Sequence, residues 1–131
     1  MFDVYEIKED ALLVGRPKGK LDARLGEEVC AFIEIKEALW ETGFNRFCDL
    51  SQVDAIQISL AEIEELASRR RTFNPNLVPV KSAFLAKSSL AVAIACLYGA
   101  LLKSPRIRVS VFSTLAEAAC WLKVDPAKLQ L

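Results

Sequence analysis

The side chains able to do chemistry in this 131-residue sequence are few, and none of them is histidine. Without histidine there is no Ser-His-Asp or Cys-His nucleophile pair, no imidazole metal site and no near-neutral proton shuttle. No G-x-S-x-G elbow is present either. Cys30, Cys48, Cys96 and Cys120 lie far apart in apolar segments with no C-x-x-C pair, the pattern of small buried hydrophobes in a reducing cytoplasm. Asp49 and Asp54 flank the end of an expected strand, where parallel sheets place ligand crevices; Asp49 and Ser51 are contact candidates. Ser59 and Glu62 have Ser-x-x-Glu spacing ahead of Leu60, Ile63, Leu66 and Ala67, a capping box in which Ser59 contributes about 1 kcal/mol as the helix N-cap. These residues predict neither catalysis, nor a cofactor, nor a metal site.

Seventeen basic and seventeen acidic residues balance, so no overall field recruits nucleic acid or an anionic membrane. Two basic runs stand out. Arg16-Pro17-Lys18-Gly19-Lys20 reads as a loop after a strand, without P-loop spacing, and Arg69-Arg70-Arg71 ends a helix, where cations complement the dipole. Both are expected on the solvated surface, and neither carries interleaved aromatics for stacking bases. The opening residues lack a basic segment followed by an apolar run, and the longest uncharged stretch, 88–102, falls short of the roughly 20 residues of a membrane span. A cytoplasmic protein with no stable membrane insertion is expected.

The elements that must position these residues follow from hydrophobic period and punctuation. Strands are expected at 2–7, 11–14, 47–50, 80–86 and 107–112. Helices start at the caps Asp22, Ser59, Ser88 or Ser89, and Thr114, the last in a second capping box with Glu117. Gly43 is placed as the C′ residue of the first helix. The order ββαβαβαβα predicts one α/β domain over 1–124, a mixed, mostly parallel five-stranded sheet with its first strand antiparallel and about four helices. Residues 125–131 read as a short tail. The third helix, 89–102, is apolar on every side, with Leu90, Ile94, Leu97, Tyr98 and Leu101 as its large residues. Its outer face needs a cover, whether a homodimer or protein partner, neighbouring helices, or an apolar ligand.

Val80 to Ala86, the small-residue helix after it, Val111-Phe112 and Glu117-Ala118 with Trp121-Leu122 together resemble the C-terminal half of SpoIIAA-like STAS/SEC14-type bacterial domains. Asp49-Leu50-Ser51-Gln52-Val53 is similar to the strand-to-helix segment of STAS domains. The resemblance implies a non-enzymatic interaction or regulatory module, or, on the SEC14 side, a binder of small apolar or lipid-like molecules. It also puts Ser59 where STAS anti-anti-sigma factors carry a phosphorylated serine. There a phosphate would add about −1.5 to −2 charges at a helix N-terminus and switch a partner surface. Those relatives show an Asp-Ser-Ser-Gly-like run where this sequence has Gln57-Ile58-Ser59-Leu60, so Ser59 reads first as a plain cap, which the capping box explains completely.

Overall fold

A computed structural model describes residues 2–40, 42–73 and 78–130. Among these residues seven strands and four helices follow in order: β1 (Phe2–Ile7), β2 (Leu12–Pro17), β3 (Gly19–Asp22), α1 (Ala23–Leu39), β4 (Asn45–Asp49), β5 (Val53–Gln57), α2 (Leu60–Thr72), β6 (Val80–Leu85), α3 (Ser89–Leu102), β7 (Ile107–Phe112) and α4 (Leu115–Leu122). The main sheet runs β1-β2-β4-β6-β7, with β1 antiparallel to β2 and the other pairs parallel. This is the expected mixed, mostly parallel five-stranded sheet with four helices.

Two further strands go beyond the sequence expectation. β3 and β5 form a separate parallel pair, with a register shift between Gly19 and Lys20. β3 is four residues long and opens on a glycine, so its period is too short to read, and the supposed basic loop at 16–20 is in fact the end of β2 and the start of β3. Pairing with β5 therefore creates β3 as a strand, more than its own sequence does.

The caps fall where the side chains dictate. Asp22 accepts from the Leu25 N–H at 2.9 Å, and Ser88 from the Ala91 N–H at 3.1 Å. Ser59 and Glu62 close the full capping box, at 3.1 and 2.9 Å. At Thr114 only half of it forms: Thr114 accepts from the Glu117 N–H, but the Glu117 carboxylate takes the Thr114 hydroxyl at 2.9 Å. Gly43 is not the C′ residue of α1. That helix ends at Leu39 with Trp40 as its cap, and Gly43, at φ +78°, closes the following turn by donating to the Trp40 carbonyl.

The side chains of the main sheet alternate between two covers. On one face Leu12, Val14, Phe47, Ala83 and Leu85 pack against Ala118, Ala119 and Leu122 of α4. The expected tail belongs to this core: Pro126–Leu129 forms a 3-10 turn, Leu129 is fully buried, and Tyr5 donates its hydroxyl to the Lys128 carbonyl at 2.7 Å. The chain reverses after Trp121 to bring Leu129 back, which no periodicity in 125–131 announces. The other face is covered by α1, α2 and α3, with the β3–β5 pair alongside.

Candidate functional site: a cavity under α1

The face covered by three helices is hollow. α3 packs closely on β7, where a Cβ on Gly99 would meet Val109 Cγ1 at 2.9 Å. α2 lies against α3, whereas α1 rests mainly on α2 and β3. Gly26 sets how near α1 comes to α2, since a Cβ there would meet Leu66 Cδ1 at 2.5 Å. Held this way, α1 spans a cavity of about 140 Å³ over the centre of the sheet.

Strand register shows why the space is there. Leu13, Arg46 and Ser82 form one cross-strand row on this face; Val4, Gly15, Cys48 and Phe84 form the next. The middle of that second row is a glycine and a cysteine, and a Cβ built on Gly15 meets nothing within 4 Å. Ile33, Leu66 and Ile94 line the helical side. The floor thus lacks the side-chain volume that would bring α1 down onto it.

One end of the cavity is polar. Arg46 on β4 and Arg70 on α2 line it, together with Ser82 and Tyr98. Behind them lies Glu37, whose Oε2 accepts from Arg70 at 2.7 Å, Arg46 at 3.1 Å and Arg106 at 3.5 Å. All four of these side chains are buried. Glu34 takes Arg69 through both carboxylate oxygens and reaches Arg70 at 3.5 Å. Four guanidiniums against two carboxylates leave this cluster two positive charges in excess. Burial alone would raise the Glu37 carboxyl, but the Arg70 hydrogen bond and the charges of Arg46 and Arg70 outweigh it and hold it below its ordinary value. Burial, with the neighbouring Arg70 and Arg106 charges, lowers Arg46 to about 10 in spite of Glu37. Glu37 faces away from the large cavity and lines a second space of about 10 Å³, with Arg46, Phe44 and Arg106. Glu37 Oε1 and Arg46 Nε, both without a protein partner, belong to side chains bordering it, and it has room for about one water.

Ser82 is buried and Tyr98 half-buried, yet neither hydroxyl hydrogen-bonds another described residue. Tyr98 packs its ring edge-on against Phe84, with centroids 5.9 Å apart, and its phenol is held above its ordinary value by burial. Cys30 and Cys48 also line the cavity; burial pushes them up to about 11 and about 12, so both are neutral thiols near pH 7 and poor nucleophiles.

The residues singled out from sequence scatter around this site. Ile94 and Tyr98 line the cavity. Leu97 is half-buried, Leu101 half-buried with its carbonyl bonded by Arg71 at 2.8 Å, and Leu90 is 55% exposed. Asp49 is buried outside the cavity lining, accepting from the Ser51 N–H at 2.9 Å and from Arg16 Nε at 3.4 Å. Ser59 is an exposed cap at the other end of α2 from Arg70. Arg70, expected on the surface, is only 2% exposed. Sequence reasoning missed Gly15, Arg46, Ser82 and Glu37. One signal was available: a glutamate on the same side of α1 as Glu34 and the buried Cys30.

No known family profile matches the chain, and no curated protein does at significant similarity. Among solved structures, an uncharacterised protein of the DUF3478 family from Shewanella loihica PV-4, described as having a SpoIIAA-like fold, is similar over 93% of this chain and 92% of that one. The TM-score is 0.59 at 15% sequence identity. The chain has a SpoIIAA-like fold, as the resemblance in its C-terminal half implied. Among the described residues no helix is long and apolar enough to cross a membrane, and no group of three or more Cys, Asp or Glu side chains is placed to hold a metal ion.

Proposed function

We propose that this chain is a non-enzymatic, cytoplasmic binding module of STAS-like type that takes a small apolar or amphipathic molecule into the cavity under α1. The observation that carries the reading is the unfilled space of about 140 Å³ over Gly15. Its size limits the occupant. An engineered apolar cavity of about 150 Å³ holds benzene, whereas drug-sized pockets run from roughly 300 to 1,000 Å³. The space suits one ring or a short chain, and a diacyl lipid would not fit wholly within it. The test is titration of benzene and indole into methyl-labelled protein, followed by NMR. Shifts confined to Leu13, Ile33, Leu66 and Ile94, and lost in Gly15→Val, are expected; no saturable shift with either probe removes the reading.

A second reading rests on a different observation. Leu90 is 55% exposed, and Ala93, Cys96 and Ala100 are exposed on the same side of α3; Leu60, at the start of α2, is 60% exposed. This stripe would serve a homodimer or a protein partner. Light scattering tests the dimer: a dimer that Leu90→Lys converts to monomer supports it, and a monomeric parent chain at high concentration rejects it.

A further inference from the structure

We infer that the molecule held under α1 is a small monocarboxylic acid, its apolar part over Gly15 and Cys48 and its carboxylate at the end formed by Arg46, Arg70, Ser82 and Tyr98. This inference rests on the ligand-binding reading above and adds the chemical class of the ligand.

Three observations converge on it. First, the buried part of the arginine cluster carries more cations than anions: Arg46, Arg70 and Arg106 share the single Oε2 of Glu37, and Glu34 adds only a 3.5 Å contact to Arg70. Buried charge of one sign is costly unless it is paired, so one more anion at this place is favourable. Second, Arg46 and Arg70 are among the residues lining the cavity and Glu37 is not; Glu37 borders the small space beyond, which Arg46 shares. A carboxylate in the cavity therefore approaches these arginines from the side away from Glu37. Third, Ser82 and Tyr98 bring two hydroxyls to the same end with no hydrogen-bond partner among the described residues. Ser82 is the cross-strand neighbour of Arg46 and points to the same face, and the Arg70 and Arg46 charges act on the Tyr98 hydroxyl. A carboxylate accepts from hydroxyl and guanidinium alike, and both of its oxygens can be served at once. The remaining space, with Gly15 and Cys48 as floor, is apolar and of the size of one ring or a short alkyl chain.

The experiment pairs acids with neutral analogues of the same shape: benzoate against benzyl alcohol, and hexanoate against 1-hexanol, measured by calorimetry on the full chain. Charge-assisted hydrogen bonds predict that each acid binds at least about tenfold more tightly than its alcohol. Ser82→Ala and Tyr98→Phe, which leave the charges in place, should each weaken the acids several-fold and leave the alcohols unchanged. Arg46→Met should abolish the preference, and circular dichroism and the thermal midpoint show whether that variant is folded. If it is not, the two hydroxyl variants alone decide. Equal affinity for acid and alcohol in the parent chain overturns the carboxylate assignment and leaves the apolar site standing. An acid preference unchanged in both Ser82→Ala and Tyr98→Phe likewise overturns this seat for the carboxylate. Binding of neither probe overturns the ligand reading, and this inference with it.

Discussion

The same five strands build both faces of the main sheet, yet one face is packed solid and the other is hollow. The solid face is closed by α4, a helix of only eight residues, and the turn Pro126–Leu129. The hollow face has α1, α2 and α3, which together are several times longer. Helical length therefore does not decide which side fills. The alternate residues do: Leu12, Val14, Phe47, Ala83 and Leu85 point one way, and Gly15, Arg46, Cys48 and Ser82 the other. The unfilled volume of about 140 Å³ forgoes the packing contacts that the other face makes. A chain that seals one side so fully and leaves the other open gives up stability where a ligand would restore it.

The largest expected effect lies at the polar end of the hollow face. Glu37→Gln keeps the volume but removes the one carboxylate shared by Arg46, Arg70 and Arg106. Leaving buried cations unpaired should cost about 3–5 kcal/mol in urea unfolding. Acidification should act on the same group. Because the folded Glu37 carboxyl lies below its ordinary value of 4.5, its contribution is complete above that value and is lost as pH falls through the lower, folded one. The parent chain should therefore lose stability on the acid side of about pH 4.5, and Glu37→Gln should show a shallower loss over that range. Parallel curves for the two proteins would mean that Glu37 does not organise the cluster.

On the solid face the smaller test is overpacking. Ala83 sits in the middle of β6 with no exposed surface, against Phe47 and α4. Ala83→Leu should destabilise by about 1–3 kcal/mol, with no change in any ligand affinity. A neutral effect would show that this face too can accept volume, and the contrast between the faces would lose its basis.

What the sequence disclosed follows the same division. The main sheet, its antiparallel first strand and the four helices are legible because strands of five or six residues and capped apolar helices carry their own period. β3 and the turn at 126–129 are not legible. A four-residue strand and a buried Leu129 are decided by partners distant in the chain. The hollow escapes for a related reason. Gly15 looks like a breaker until the register places it between Val4 and Cys48, and Arg46 looks like surface until Glu37, nine residues earlier on another element, is found beside it. Tyr98 and Ile94 stand out because they lie on a helix with no polar side, a local property. Arg70 belongs to a charge run, and such runs usually face solvent; here a neighbouring carboxylate overrides that habit.

The smallest effect is also the one that separates the faces most directly. Gly15 occupies ordinary strand backbone, and a side chain there enters open space. Gly15→Val relieves the cost of glycine inside a strand, about 0.5–1 kcal/mol, and adds apolar volume to the cavity, so the thermal midpoint should rise by a few degrees. Unlike Glu37→Gln and Ala83→Leu, it should stabilise the protein and at the same time remove binding of benzene or indole. Its sign is the informative part. Added volume raises stability on the hollow face and lowers it at Ala83 on the solid one, although both positions lie mid-strand in the same sheet. If Gly15→Val instead lowers the midpoint, α1 already rests on the floor in solution. The space then closes in the free protein, and a ligand would have to open it against the packing of α1 on β2.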